Sequence, residues 1–334
     1  MKKLIACLLC ILCLCTAASA DRVSFGSLSF DSSSKYIDMG TQEVKNYSEF
    51  IAFLKQFPNL EKVDMFATKI KEEKVDLLRQ AFPSVAFGWN LEMMYYHLIR
   101  TDAEAYSTLH GKHPKHPSRE FALLKYCTEL KALDLGHNDL TDISFLDSMP
   151  HLRVLILGDN RRMKNIEKIG SLDELEYLEI FSCGITDISP LRNLHSLMDL
   201  NLCNNKVKDW RILKEMTWLK RLWVSGMCTG VMTRSELTKA EREELQAALP
   251  DTEIVFKGQP TDYGWRENPR TKEKKPHYAI VYEIFHTGTY IPFEDSASFS
   301  VEEDAAAGSD PAAGPAAAAE DLDPSQLPGL PGAE

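Results

Sequence analysis

Five leucines, Leu130, Leu152, Leu175, Leu197 and Leu219, stand at intervals of 22, 23, 22 and 22 residues, and no other feature restricts the fold as much. From each of the first four, apolar residues recur at offsets 0, 3, 5, 10, 13 and 16, once one extra residue is allowed around Arg161 and Arg162. One unit runs Leu130, Leu133, Leu135, Leu140, Ile143, Leu146; another runs Leu175, Leu178, Ile180, Ile185, Ile188, Leu191. All 24 slots are apolar in a chain that is 44% apolar, an outcome with a chance probability on the order of 10⁻⁹. Units this short cannot bury their own apolar side, so they stack coil on coil.

Offsets 3 and 5 point the same way on a short strand, because strand side chains alternate with period two. Each buried Leu or Ile contributes about 1.5 to 3 kcal/mol, provided a neighbouring coil covers it. Offset 8 is polar: Asn138, Asn160, Cys183 and Asn205. There the strand bends and leaves backbone groups without a sheet partner, and stacked amides can both donate to them and accept from them. Cys183 is expected to replace Asn as a small, buried, weak donor. Asp142, Asn165, Asp187 and Asp209, at offset 12, are expected to hold the next turn through bonds to backbone N–H groups.

The pattern L-x-x-L-x-L-x-x-N/C-x-L resembles the leucine-rich repeat, and "ITDISPL" is similar to the 22-residue bacterial class of internalin-type surface proteins. The resemblance implies an α/β solenoid, a horseshoe with a parallel concave sheet, from a secreted bacterial recognition module that binds a protein partner, on a host or envelope surface. The strand offsets outside the core project onto that face and give the candidate contacts: Asp134, His137, Ile156, Asp159, Tyr177, Glu179, Phe181, Asp199, Asn201, Arg221 and Trp223. Ile156, Tyr177, Phe181 and Trp223 are expected to be exposed there among acids and one Arg, a hot-spot composition. Cys203 is expected to face the same solvent. Gly136 and Gly158 would admit a ligand backbone. Stacking of these aromatics on sugar rings gives a second reading, a glycan or envelope-polymer binder.

The frame continues upstream in looser form through Leu60, Val63, Met65 and Phe82, Val85, Phe87, Asn90. A strand near Tyr36 to Met39, a helix over Tyr47 to Phe57 and a helix in "KEEKVDLLRQAFP" ending before Pro83 form the expected N-terminal cap. Asn90 to Tyr126 breaks the frame and contains "HGKHPKHP". Its prolines oppose a helix that would align His110, His113 and His116 as metal ligands, so no metal site is assigned. Downstream, "TKAEREELQAALP" carries Thr238 and Glu241 as a capping box before a strand at Glu253 to Phe256. The aromatic-rich "DYGWREN" and "HYAIVYEIFHTGTYIPF" are expected to pack on the last coil.

Residues 1–20 read as a secretory signal, with Lys2 and Lys3, an apolar run from Leu4 to Cys15, and cleavage after Ala20. Export to the periplasm or the medium follows. "LIAC" lies too near the start for a lipid-anchor signal, and the apolar run is too short to span a bilayer. The expected organisation is signal 1–20, N-terminal cap and irregular repeats 21–129, repeats 130–228, C-terminal cap 229–293 and a disordered acidic tail 294–334. The net charge of −11 becomes −13 without the two signal lysines, and the tail's ten acidic residues leave the body near −3. No basic surface for nucleic acid follows from that balance. No nucleophile elbow, phosphate loop or dinucleotide fingerprint is present. The chain is therefore read as non-catalytic and without cofactor; a hydrolase site around His97 to His116 or Trp265 to His286 is the remaining enzyme alternative. The four cysteines of the mature chain, Cys127, Cys183, Cys203 and Cys228, allow two disulfides, although Cys183 and Cys203 should point to opposite sides of the sheet.

Overall fold

The structure, a computed structural model, describes residues 21–93, 98–108, 115–228, 236–258, 260–261 and 264–293. Residues 1–20, read above as a signal, His97, His110, His113 and residues 294–334 lie outside the described residues. The chain divides into two units, Met1–Glu92 and Met93–Glu334.

In the first unit, β1 (Arg22–Phe25) and β2 (Leu28–Asp31) form an antiparallel hairpin turning at Gly26, whose φ of 58° suits glycine. β3 (Tyr36–Asp38), α1 (Tyr47–Leu54), β4 (Lys62–Lys69), α2 (Glu72–Ala81) and β5 (Ala86–Glu92) alternate, and the three strands pair in parallel in sequence order. The Asn46 side chain caps α1 by accepting from the Glu49 N–H at 3.2 Å. Phe50 and Phe53 of that helix meet Phe25 of the hairpin at centroid distances of 5.3 and 5.1 Å. α2 ends ahead of Pro83, as expected. Asn90 donates to the Phe66 carbonyl at 2.8 Å, the task assigned to offset 8.

The second unit opens with β6 (Leu98–Arg100) and then builds a seven-stranded parallel sheet. Its strands follow chain order: β7 (Ala105–Ser107), β8 (Ala132–Asp134), β9 (Val154–Ile156), β10 (Tyr177–Glu179), β11 (Asp199–Asn201), β12 (Arg221–Trp223) and β13 (Glu253–Val255). Equal offsets pair, so Tyr177 lies opposite Val154 on one side and Asp199 on the other. The central residues Leu133, Leu155, Leu178, Leu200 and Leu222 are fully buried inside the coils. The coils that start at β7 to β11 return through 3₁₀ helices: Ser118–Tyr126, Ser144–Ser148, Glu167–Ser171, Ser189–Asn193 and Trp210–Glu215. Paired strands sit about 4.8 Å apart and helices need more room, so the sheet takes the concave side. This is a leucine-rich-repeat solenoid.

The ladder works as the spacing predicts. Asn160 donates to the Leu157 carbonyl of its own coil at 2.7 Å and to the Leu135 carbonyl of the preceding coil at 3.0 Å, and it accepts from the Leu140 N–H at 3.0 Å. Asn138 donates to the Leu135 carbonyl and accepts from the His116 N–H, both at 3.1 Å. Asn205 donates to the Ile180 and Leu202 carbonyls at 2.8 and 2.9 Å. The Cys183 thiol donates to the Leu157 carbonyl at 3.2 Å, and burial pushes its pKa up to about 12. Asp142, Asn165, Asp187 and Asp209 accept from the N–H two residues on, at 2.8 to 3.1 Å. Among the described residues no disulfide forms, and Cys127, Cys183, Cys203 and Cys228 are all buried.

Two parts of this unit differ from the sequence reading. β7 and the helix Ser118–Tyr126 make a full coil inside the stretch read as breaking the frame. His116 is buried in it and its ring meets Glu120 at 2.7 Å. Downstream, α3 (Lys239–Ala248) starts at the expected capping box and β13 pairs with β12. The aromatic-rich segment after it does not close the last coil. It forms α4 (Pro276–Thr287) and packs on the outer sheet face.

Candidate functional site

The outer sheet face carries the candidate contacts, and it is not open to solvent. Ile156, Tyr177, Phe181 and Trp223 are 2%, 0%, 4% and 2% exposed, against the expectation of exposed aromatics. Cys203, expected in solvent, is fully buried and burial pushes its thiol well up. The cause is residues 264–293, whose Trp265, Ile280, Val281, Ile284 and Phe293 form one apolar cluster with these side chains. The segment runs back over the array: Pro260 beside Asn201 of β11, Trp265 against Trp223 and Tyr177, then Tyr290 at Glu104, next to β7. Each ring contact has a centroid separation of 5.7 Å.

Buried charges on the strands meet Arg266 and His277 of the segment. Glu179, fully buried, accepts from Tyr177 Oη, from Trp265 Nε1 at 2.8 Å and from both Nε (3.1 Å) and Nη2 of Arg266. Burial opposes the charge of the Arg266 guanidinium, but Glu179 outweighs it and holds the group firmly protonated. Burial, then Glu179, raises the Tyr177 phenol far above its usual range, so it stays a donor. Asp199 accepts from Arg221 Nη1 at 2.9 Å and contacts His277 Nδ1 at 2.7 Å. Arg221 also donates to the Trp265 carbonyl at 2.7 Å and lies 4.4 Å from its ring centroid. Asn201 donates to the Pro260 carbonyl. At the far end Tyr290 donates to Glu176, and Lys131 and Arg153 sit over its ring at 5.7 and 5.5 Å. Asp134 is buried and accepts from the Gly136 N–H at 2.9 Å. Burial raises its pKa to about 6, against the pull of Arg266.

Offset 7 does not project onto the face as expected. His137, Asp159, Ser182 and Asn204 have φ of 53° to 60° and form the left-handed turn at its edge. His137 and Asn204 stay exposed, while Asp159 binds Lys115 and Arg161 at 3.0 and 2.7 Å. Gly158 makes room for the chain itself, since a Cβ there would collide with the Phe181 ring. The strand offsets identified one side of this contact. Its other side, Trp265, Arg266, His277, Tyr290 and Phe293, was assigned to a cap. The signal for it was the lone buried-type charges Glu179 and Asp199 beside aromatics, which require a counterpart.

Among the described residues no group of three or more His, Cys, Asp or Glu could hold a metal ion, and no helix is long and apolar enough to cross a membrane. The family described as "Leucine Rich repeats (2 copies)" matches residues 128–174. A geranylgeranyl transferase type-2 subunit alpha from Bos taurus is 28% identical over 128 residues, which is 38% of this chain and 22% of that protein. An internalin from Listeria monocytogenes is similar over 65% of this chain and 52% of its own, with 20% identity and a TM-score of 0.36. An internalin C2 from the same species covers 68% and 75%, with 18% identity and a TM-score of 0.31. The chain thus spans less than a quarter of that transferase subunit and about half of the first internalin. The leucine-rich-repeat fold is typically a non-catalytic binding scaffold.

Proposed function

We propose that this chain is an exported, non-catalytic recognition module that binds a protein partner on the concave side of its repeat array. The observation that supports this reading is that the face already accommodates a helical polypeptide segment through aromatic contacts and charge pairs. Leucine-rich-repeat scaffolds are protein-interaction modules, and the face with the richest contact chemistry is the one that residues 264–293 cover. A partner therefore engages it as that segment yields. Glycan stacking has less support, because the aromatics proposed as sugar platforms are buried. The test is capture of a partner by immobilised full chain, comparing wild type, Arg266→Glu, which sets two carboxylates against each other at Glu179, and Arg192→Glu on the helical side. Capture should rise at least several-fold in Arg266→Glu and stay unchanged in Arg192→Glu. Dependence on Arg192 with indifference to Arg266 would remove the concave side from the proposal. Export is tested separately by N-terminal sequencing of protein recovered outside the cytoplasm, which should begin at Asp21.

A further inference from the structure

The concave face has a definite ligand chemistry, because its own occupant displays it. Without residues 264–293, β10 and β11 would present Glu179 and Asp199, and β8 would present Asp134, against a single cation of the sheet, Arg221. Tyr177 and Trp223 would stand bare between them. A surface on which carboxylates outnumber cations, with two large rings, is not self-sufficient: buried carboxylates without cations are strongly disfavoured. The segment answers each feature in turn. Trp265 fills the space between the rings, Arg266 forks onto Glu179, and His277, eleven residues later at the start of α4, reaches Asp199. Array ends need caps, and α3 with β13 supplies one at the last coil; a sheet face with complete strand pairing needs none.

We infer that the concave face is a receptor for an aromatic, Arg-bearing segment of a partner protein: an aromatic–Arg pair followed eleven residues later by a His at the start of an apolar helix. Residues 264–293 are the tethered version of that ligand. The inference rests on the protein-binding reading above and names the chemistry of its partner. Arg supplies what Lys would not, since the planar fork satisfies both Glu179 oxygens at once.

The probe is a fluorescent synthetic peptide of residues 260–293. A protease site placed in the connection between Lys257 and Gly264 allows the folded full chain to be nicked, so that the segment stays in place but is no longer covalently held. The nicked chain should exchange its segment for the labelled peptide in a saturable way, reversed by unlabelled peptide. A peptide with Glu at the Arg266 and His277 positions should bind at least 10-fold more weakly, and Arg266→Lys should weaken binding several-fold. Intact wild type should take up little. A nicked, folded chain that never exchanges, or that takes the charge-reversed peptide equally well, overturns the inference. If the peptide exchanges as expected but the full chain captures no protein, the protein-binding reading falls and the ligand chemistry stands. Capture that is indifferent to partner charge does the reverse.

Discussion

The two faces of the central sheet are equally buried and are buried by different means. Leu178 points into its coil and is covered by Leu155 and Leu200, its sheet neighbours 23 and 22 residues away. Glu179, the next residue, points outward and is covered by Trp265 and Arg266, 86 and 87 residues away. The inner face is closed by repetition, and the outer face by a single segment that arrives after the array is complete. Repetition spreads its stability over every coil. The outer contact concentrates it in a few residues, so the two should fail separately.

The largest effect should come from the inner face. Leu178→Ala should cost about 2 to 5 kcal/mol, because the rigid neighbouring coils cannot collapse into the space. Chemical denaturation would show it as one shifted transition for the whole unit. A separate early loss of strand signal would contradict cooperative stacking.

Glu179→Gln should come next, at about 2 to 4 kcal/mol, since it leaves Arg266 partly buried without its counter-charge. Hydrogen exchange should accelerate in 264–293 while β9 and β10 keep their protection. Equal acceleration in both would mean that the segment is a structural part of the array.

Asp134 sharpens the comparison through pH. Its pKa is raised from 3.8 to about 6, so the native state binds the proton more tightly than the unfolded one. Its contribution is therefore most favourable below about 4 and is lost as pH rises through 6. The full span is about 3 kcal/mol. Asp134→Asn keeps the acceptor for Gly136 and should stabilise at pH 7 by about 1 to 3 kcal/mol while changing little at pH 4. A benefit of equal size at both pH values would assign it to something other than titration.

The smallest effect belongs to Cys183→Asn. It restores the ladder residue of the neighbouring coils and should change stability by no more than about 1 kcal/mol. Denaturation midpoints compared with wild type would show it.

These differences also explain what the sequence made legible. The inner face, the ladder and the offset-12 turns follow from a period of 22 residues, because each interaction joins residues one coil apart. The coil at β7 was hidden because "HGKHPKHP" lengthens it and Thr108 stands where the frame expects an apolar residue. The outer face was half legible. Offsets 2 and 4 located Tyr177, Glu179, Asp199, Arg221 and Trp223, but no local period relates them to Trp265 or His277. Their burial was missed for that reason, and with it the shielding of Cys203.

Cysteine labelling under native conditions tests the separation of the two faces most directly. Cys183 lies in the ladder and Cys203 in the cluster covered by 264–293. Both should react slowly in the wild type. In Arg266→Glu, Cys203 should react at least 10-fold faster while Cys183 keeps its wild-type rate. If the two accelerate together, or neither changes, the outer face is not closed by a separable segment and the account fails.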